Sequence, residues 1–184
     1  MGQKRYEERI TSVTALVTAG IAADPAEEMH HREALEETGF WGRRGAGCLA
    51  VARDTGRILV ALRSDEVLEP GTWGTWGGAI DPQEDPAVAV CREFGEETGY
   101  EGAAEVLPLM VFTSGAFRYH NFLLVVEHEF EPVLNWENSE GRWCQLQALP
   151  DPLHFGLASL LEDVPSRDLL ERHAVPLSPE APSC

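Results

Sequence analysis

The segment from residue 78 to residue 100 constrains the fold of this chain more than any other part of the sequence. Its second half predicts a helix from Pro86 to Thr98, because Asp85 is a good N-cap and Gly99 can take the left-handed conformation that ends helices. A glycine-rich run, residues 71–78, leads into the segment. The sequence therefore predicts a glycine-rich approach followed by a helix with well-defined ends.

This predicted helix carries an unusual concentration of acid. At 100° per residue, three acids fall within an arc of roughly 100°: Glu93, Glu96 and Glu97. Three less polar residues form another arc that can face a core: Ala87, Cys91 and Phe94. Like charges this close destabilise an isolated helix, so the pattern favours a site that binds divalent cations, although a solvated acidic face has the same pattern. Carboxylate oxygens suit Mg²⁺, with Mn²⁺ as a second choice.

The middle of the chain predicts a mixed α/β domain. An apolar hairpin is expected from two runs, 46–53 and 58–63, joined by the turn Asp54-Thr55-Gly56. Further strands are expected at 106–112, 117–130 and 142–146, and short helices at 156–162 and 166–172. The expected domain spans residues 41–174, and a proline-rich tail, residues 175–184, is expected to be disordered.

Residues 1–40 predict a helical extension. Ile10, Val13, Val17 and Ile21 form an apolar stripe at helical spacing, and Asp24-Pro25 can start a second helix. A stripe of this kind packs either on its own domain or on a second subunit. We expect the second arrangement, a homodimer formed through these helices.

Charge and cysteine content restrict the partners. The chain has 14 basic and 31 acidic residues, a net charge of −17, which repels DNA and anionic membranes and favours polyanions that arrive with a cation. Residues 10–23 are too short and polar to span a bilayer. The four cysteines are dispersed, and Cys48 and Cys91 lie among apolar residues, which favours buried thiols and a cytoplasmic protein.

The spacing of the acids points to a known family. Gly78 is followed by five residues, Glu84, seven residues, and the run Arg92-Glu93-Phe94-Gly95-Glu96-Glu97-Thr98-Gly99-Tyr100. This pattern resembles the complete signature of the Nudix hydrolases, with every charged and glycine position matched. Phe94 and Tyr100 are aromatic where the family more often has an aliphatic residue, and Trp76 stands where a proline is common. Similar features extend over roughly residues 45–160.

The resemblance implies a fold and a chemistry. The fold would be a Nudix-type α/β/α sandwich with a mixed β-sheet, here with the N-terminal helical extension added. The reaction would be water attack on a phosphorus of a nucleoside diphosphate linked to another group, assisted by one to three divalent ions. The substrate would be a small nucleotide or another pyrophosphate compound. A non-catalytic domain that senses a nucleotide is the alternative, and loss of a box acid would favour it.

The resemblance also assigns roles to residues. The implied metal ligands are Glu93, Glu96, Glu97, the carbonyl of Gly77, and Glu84 directly or through water. Arg92 would pair with a box carboxylate and orient it. The general base would be either Glu93 or a later glutamate, for which Glu140 and Glu137 are the candidates.

Outside the box, several residues are candidates for substrate binding. Arg63 ends a predicted strand and could reach a phosphate, with a surface salt bridge as the simpler interpretation. Four aromatic residues lie in segments that could line a cleft, although core packing also explains them: Trp73, Trp76, Phe117 and Tyr119. Residues 32–39 repeat half of the acidic box without its glycine loop, and we interpret them as a structural helix.

Overall fold

The computed structural model describes residues 13–18 and 44–176. The strands in these residues are β1 (Val13–Val17), β2 (Arg44–Ala52), β3 (Ile58–Arg63), β4 (Trp73–Gly74), β5 (Trp76–Ala79), β6 (Gly102–Ser114), β7 (Phe117–Val126) and β8 (Asn138–Cys144). The helices are α1 (Pro86–Thr98), α2 (Phe155–Glu162) and α3 (Val164–His173), with a 3₁₀ turn at Leu146–Ala148. The expected hairpin, acidic helix and later helices therefore form within a few residues of their predicted bounds.

The strands form one mixed sheet. Its main order is β1-β6-β7-β2-β3-β4, with β5 paired to β2 and β8 paired to β3. The pair β2 and β7 is parallel along the whole of β2, and the other pairs are antiparallel. The central strand β2 is buried on both faces and accordingly reads as a nearly continuous apolar run.

Alternation along β2 divides the core into two layers. Cys48 and Ala50 pack with Phe94 of α1 on one face of the sheet. Leu49 and Val51 pack on the other face with apolar residues of α2 and α3. The domain is therefore an α/β/α sandwich with a mixed sheet, as the family resemblance implied.

Helix α1 forms where the sequence predicted it, for the expected local reasons. The Asp85 carboxylate accepts a hydrogen bond from the Ala87 N–H at 2.8 Å. Gly99 has φ 65° and closes the helix by donating its N–H to the Gly95 carbonyl. A Cβ at Gly95 would overlap the Thr18 carbonyl, so this glycine lets the helix lie directly against the end of β1.

The predicted N-terminal helix is wrong at the residues that the structure describes. Val13–Val17 forms an edge strand whose register runs from Val13 opposite Val106 to Val17 opposite Gly102. β-Branched residues fit a pleated sheet, and the edge of β6 supplies hydrogen-bond partners that an isolated helix would lack. Val17 is buried in the same core as Phe94, so residues 13–17 belong to the domain and not to a separate extension.

The other predictions for the termini lie outside the described residues. These are the second helix after Asp24, the partial repeat at 32–39 and the tail from residue 177 onward. Because Val17 packs inside its own domain, one member of the apolar stripe is already partnered. Dimerisation stays a prediction.

Two expectations from composition can be compared with the fold. Cys48, Cys91 and Cys144 are buried free thiols, which confirms the interpretation of the first two. Among the helices of residues 13–18 and 44–176, none has the length and apolar character needed to cross a membrane.

Candidate active site

Glu97 is the most deeply placed acid of the predicted box. It lies near the end of α1 and is 4% exposed. Its Oε2 accepts a hydrogen bond from the Gly77 N–H at 2.6 Å, and its Oε1 accepts one from Asn138 Nδ2 at 3.2 Å. Helix α1, strand β5 and strand β8 thus converge on one carboxylate.

Arg92 joins the remaining acids into a network. Its Nε and Nη2 contact the two oxygens of Glu84 at 3.1 and 3.0 Å, which is a bidentate arrangement. Its Nη1 donates to Glu93 at 2.9 Å and to Glu96 at 3.3 Å. Arg92 therefore pairs with box carboxylates, as the sequence predicted, and its single guanidinium contacts three of them.

Burial disfavours the charged forms of the acids in this cluster. Burial raises the pKa of Glu93 to about 7; Arg92 opposes the shift, and Glu96 adds to it. Burial, followed by the charges of Glu137 and Glu93, raises the pKa of Glu97 well above its usual value. Burial is the largest influence on the pKa of Glu84 and raises it, but hydrogen bonds from Arg92 and the Asp81 N–H, together with the charges of Arg92 and Arg44, leave this pKa lowered. The excess negative charge is thus concentrated around Glu93 and Glu97.

The donor chemistry of the cluster fits a hard divalent cation. Carboxylate oxygens are the ligands that Mg²⁺ and Mn²⁺ prefer, and a cation would relieve the repulsion that raises these pKa values. Within residues 13–18 and 44–176, no three His, Cys, Asp or Glu side chains are already grouped so that they could hold a metal ion. Mg²⁺ does not require such a cage, because it usually keeps several waters and binds through one or two carboxylates and substrate phosphates.

Two glycines let the strand approach the acids. A Cβ at Gly78 would lie 2.7 Å from Glu93 Oε2, so the missing side chain leaves space for this carboxylate. Gly77 has φ 141°, and a Cβ there would overlap the backbone of Ala46 and Gly47 in β2. The missing side chain at Gly78 thus leaves room for the site, and the missing side chain at Gly77 lets β5 pair closely with β2.

This difference yields a prediction for a pair of variants. Gly78→Ala should lower turnover by about 10²-fold with little loss of stability, because only the flexible end of Glu93 must move. Gly77→Ala should instead cost several kcal/mol, on the order of 3 or more, because it strains the backbone. Urea unfolding and steady-state kinetics on both variants measure the two effects. Equal stability losses would contradict the assignment.

Of the two later glutamates, the structure brings Glu137 within electrostatic range of the acids. The negative charge of Glu137 contributes to the raised pKa values of Glu97 and Glu93. Glu140 lies opposite Leu62, whose side chain packs on the α2 and α3 face of the sheet. Its carboxylate forms an ion pair with Arg142 at 2.7 Å. The sheet therefore directs the Glu140 side chain away from α1, which favours Glu137 of the two later glutamates predicted as the base.

The two tryptophans predicted to bind substrate are buried. Trp76 is completely buried and donates its Nε1–H to the Leu59 carbonyl, so it is a core residue. Trp73 is 4% exposed, and the guanidinium of Arg142 lies 4.5 Å from its ring centroid. Neither ring has a face available for stacking on a ligand.

Arg63 and Tyr119 lie nearer to the acids. The Arg63 Nε donates to the Leu68 carbonyl at 2.7 Å, and its charge opposes the rise that burial causes in the pKa of Glu137. The Tyr119 ring packs over Gly45. Burial raises the pKa of Tyr119, against a hydrogen bond with Thr75, and the charge of Glu97 raises it further. Both side chains are therefore within electrostatic range of the cluster.

Sequence reasoning missed Asn138 and a group of aromatic residues next to Tyr119. Asn138 carries no charge, and only its distance from Glu97 reveals its importance. Phe112 lies opposite Tyr119 in the sheet, and the ring of Phe155 packs against that of Phe112 with centroids 5.9 Å apart. His154 caps α2 by accepting the Gly156 N–H, and its ring lies 4.5 Å from that of Phe155. These aromatic residues read as ordinary strand and helix positions, so no local signal distinguished them.

Comparison with known proteins agrees with this geometry. A family model described as the NUDIX domain matches residues 41–164, which include the whole acidic cluster and β2 to β8. The chain belongs to the Nudix hydrolase family. A crystal structure of a MutT Nudix hydrolase from Burkholderia pseudomallei superposes with a TM-score of 0.51 at 30% identity, covering 66% of this chain and 98% of that one.

Curated Nudix relatives share the domain over part of their length. One from Mycobacterium tuberculosis, whose name proposes an 8-oxo-dGTP diphosphatase, is 30% identical over 132 residues, 65% of this chain and 61% of that protein. A CMP-5′-(N-acetyl-N-hydroxy-3-aminopropyl)phosphonate hydrolase from Streptomyces rubellomurinus is 43% identical over 93 residues, 50% of this chain and 43% of that protein. This Nudix chain thus spans less than two thirds of either relative.

Proposed function

We propose that this Nudix protein is a Mg²⁺-dependent pyrophosphohydrolase, with Mn²⁺ as an alternative cofactor. Its substrate would be a nucleoside diphosphate linked to another moiety, cleaved by attack of water on phosphorus. The observation that carries the proposal is the set of three carboxylates on α1, those of Glu93, Glu96 and Glu97. Arg92 pairs with the first two, and the charge of Glu137 acts on the third. Such an excess of buried negative charge is costly unless a cation binds beside it.

The proposed ligands are Glu93, Glu96 and Glu97, with the Gly77 carbonyl as a backbone ligand. Mg²⁺ would neutralise phosphate oxygens and make the attacking water more acidic. Glu84 has both oxygens engaged by Arg92, and its Oε2 also accepts the Asp81 N–H at 3.1 Å, so we place it as the support of Arg92. Arg92 would hold Glu93 and Glu96 at the correct separation before the cation arrives.

The proposed general base is Glu137. Burial raises its pKa, and the charge of Glu96 adds to this rise against Arg63, so the carboxylate is better suited to accept a proton near neutral pH. Its charge acts on both Glu93 and Glu97, so it lies within electrostatic range of the proposed metal ligands. Glu93 is the alternative base, since its pKa lies at about 7.

The proposed binding surface for the nucleoside is aromatic. Phe155 is 42% exposed and adjoins Phe112, which shares its face of the sheet with Tyr119. Aromatic faces can stack on a nucleobase, and Arg63 can attract a phosphate. The names of both curated relatives include a nucleotide, which agrees with this substrate class. The buried free thiols favour a reducing compartment, and we therefore place the protein in the cytoplasm.

A substrate panel tests the proposal. The purified chain would be incubated with 8-oxo-dGTP, ADP-ribose, a nucleotide sugar, a CMP-linked phosphonate and a dinucleoside polyphosphate, and nucleotide products would be separated by chromatography. We expect cleavage of at least one compound with Mg²⁺ or Mn²⁺ and none in excess EDTA. Tight nucleotide binding without cleavage would favour the alternative, a non-catalytic nucleotide sensor. Retention of every box acid speaks against that alternative.

A further inference from the structure

One side chain in the site has a contact that none of the roles above explains. Asn138 is 8% exposed, and its Nδ2 donates to Glu97 Oε1 at 3.2 Å. Asparagine is a poor strand residue, yet Asn138 begins β8 and donates a hydrogen bond from its amide to a buried acid. The contact therefore calls for a reason specific to Glu97.

The sheet is irregular at the point that aims Asn138 at Glu97. Glu140 pairs with Leu62, but Asn138 pairs with the next residue of β3, Arg63, so Ser139 is an extra residue in β8. In a regular strand Asn138 would share the face of Glu140, two residues away, and would point away from α1. The bulge reverses the alternation, and bulges commonly re-aim side chains in this way.

The two donors to Glu97 differ from those to the other box acids. Gly77 donates from the backbone of β5, which is fixed by its pairing with β2, and Asn138 donates from the start of β8. Glu93 and Glu96 are contacted by Arg92, which has a long side chain. Both donors to Glu97 are neutral, so they orient the carboxylate without cancelling the charge that attracts a cation.

We propose that Asn138 is a positioning residue that holds the Glu97 carboxylate in the orientation in which it receives the divalent cation. The inference rests on the proposed function, because it takes Glu97 as a ligand. Hydrogen-bond partners of metal ligands fix ligand orientation, and their loss typically weakens metal affinity by about 10–100-fold.

The test compares two asparagines that are both buried. Asn138→Leu removes the donor at similar volume. Asn121→Leu removes a 5% exposed asparagine whose Nδ2 donates to the Met110 carbonyl at 3.1 Å rather than to an acid. Mn²⁺ binding without substrate is measured by the electron paramagnetic resonance of free Mn²⁺. We expect Asn138→Leu to weaken Mn²⁺ affinity by about tenfold or more, and Asn121→Leu by less than about twofold.

The controls separate the possible failures. Circular dichroism establishes that each variant is folded; if Asn138→Leu is not, the shorter polar variant Asn138→Ser takes its place, with the same expected weakening. Wild-type affinity in the Asn138 variant, or equal weakening in both variants, would overturn the positioning role while leaving the metal site intact. Absence of Mn²⁺ binding by the wild-type protein would overturn the proposed metal site and the positioning role with it.

Discussion

Glu97→Gln should lower turnover by about 10³-fold or more while the fold survives, because the substitution removes a charged oxygen from the proposed metal site. The side-chain oxygen of the glutamine can still accept the hydrogen bond from the Gly77 N–H. Asn138 can rotate its amide so that its oxygen accepts a hydrogen bond from the new NH₂ group. Burial and neighbouring acids raise the pKa of Glu97, so its charged form opposes folding at neutral pH. In EDTA, the variant should therefore be at least as stable as the wild-type protein.

Kinetics and thermal unfolding of the same preparations check this prediction. Turnover is measured over a range of Mg²⁺ concentrations, and unfolding is followed in EDTA. Turnover close to that of the wild-type protein in Glu97→Gln, or full wild-type activity in excess EDTA, would contradict a metal-dependent role. A variant that is inactive because it is unfolded is recognised by its unfolding curve.

Glu137→Gln should reduce turnover by about 10²–10⁴-fold with little change in KM, as expected for a proton transfer that occurs only in the transition state. Glu140→Gln is the matched control, because it removes a carboxylate two residues from Asn138 that is paired with Arg142 on the opposite face of the sheet. That variant should retain turnover within about threefold, as surface ion pairs contribute little.

Initial rates at several substrate concentrations distinguish the candidates for the base. A large loss in Glu140→Gln with none in Glu137→Gln would reverse the assignment that the structure favours. If neither later glutamate affects turnover and Glu93→Gln abolishes it, the base belongs to helix α1.

Much of the site could be predicted because it is local. The positions of Glu93, Glu96 and Glu97 on one face, and the caps at Asp85 and Gly99, follow from helix geometry over a short stretch of chain. The pairing of Arg92 with neighbouring acids follows from the same geometry, since these residues are one and four positions apart.

The failures are all failures of long-range placement. Val13 and Val17 fit a helical stripe as well as a strand, and only pairing with β6 made the strand favourable. Trp73 and Trp76 are large aromatic residues whose availability depends on which layers cover them. Composition does not contain that information.

The sequence by itself determined the domain class, the acidic helix and the identity of its charged residues, because backbone torsions and side-chain periodicity act within a few residues. Only the tertiary structure decided that Glu137 lies within electrostatic range of the acids while Glu140 faces away from α1, and that Asn138 reaches Glu97. The physical reason is that a side chain in a sheet changes face with each one-residue shift of register. The extra residue at Ser139 is an irregularity that exists only when β8 pairs with β3.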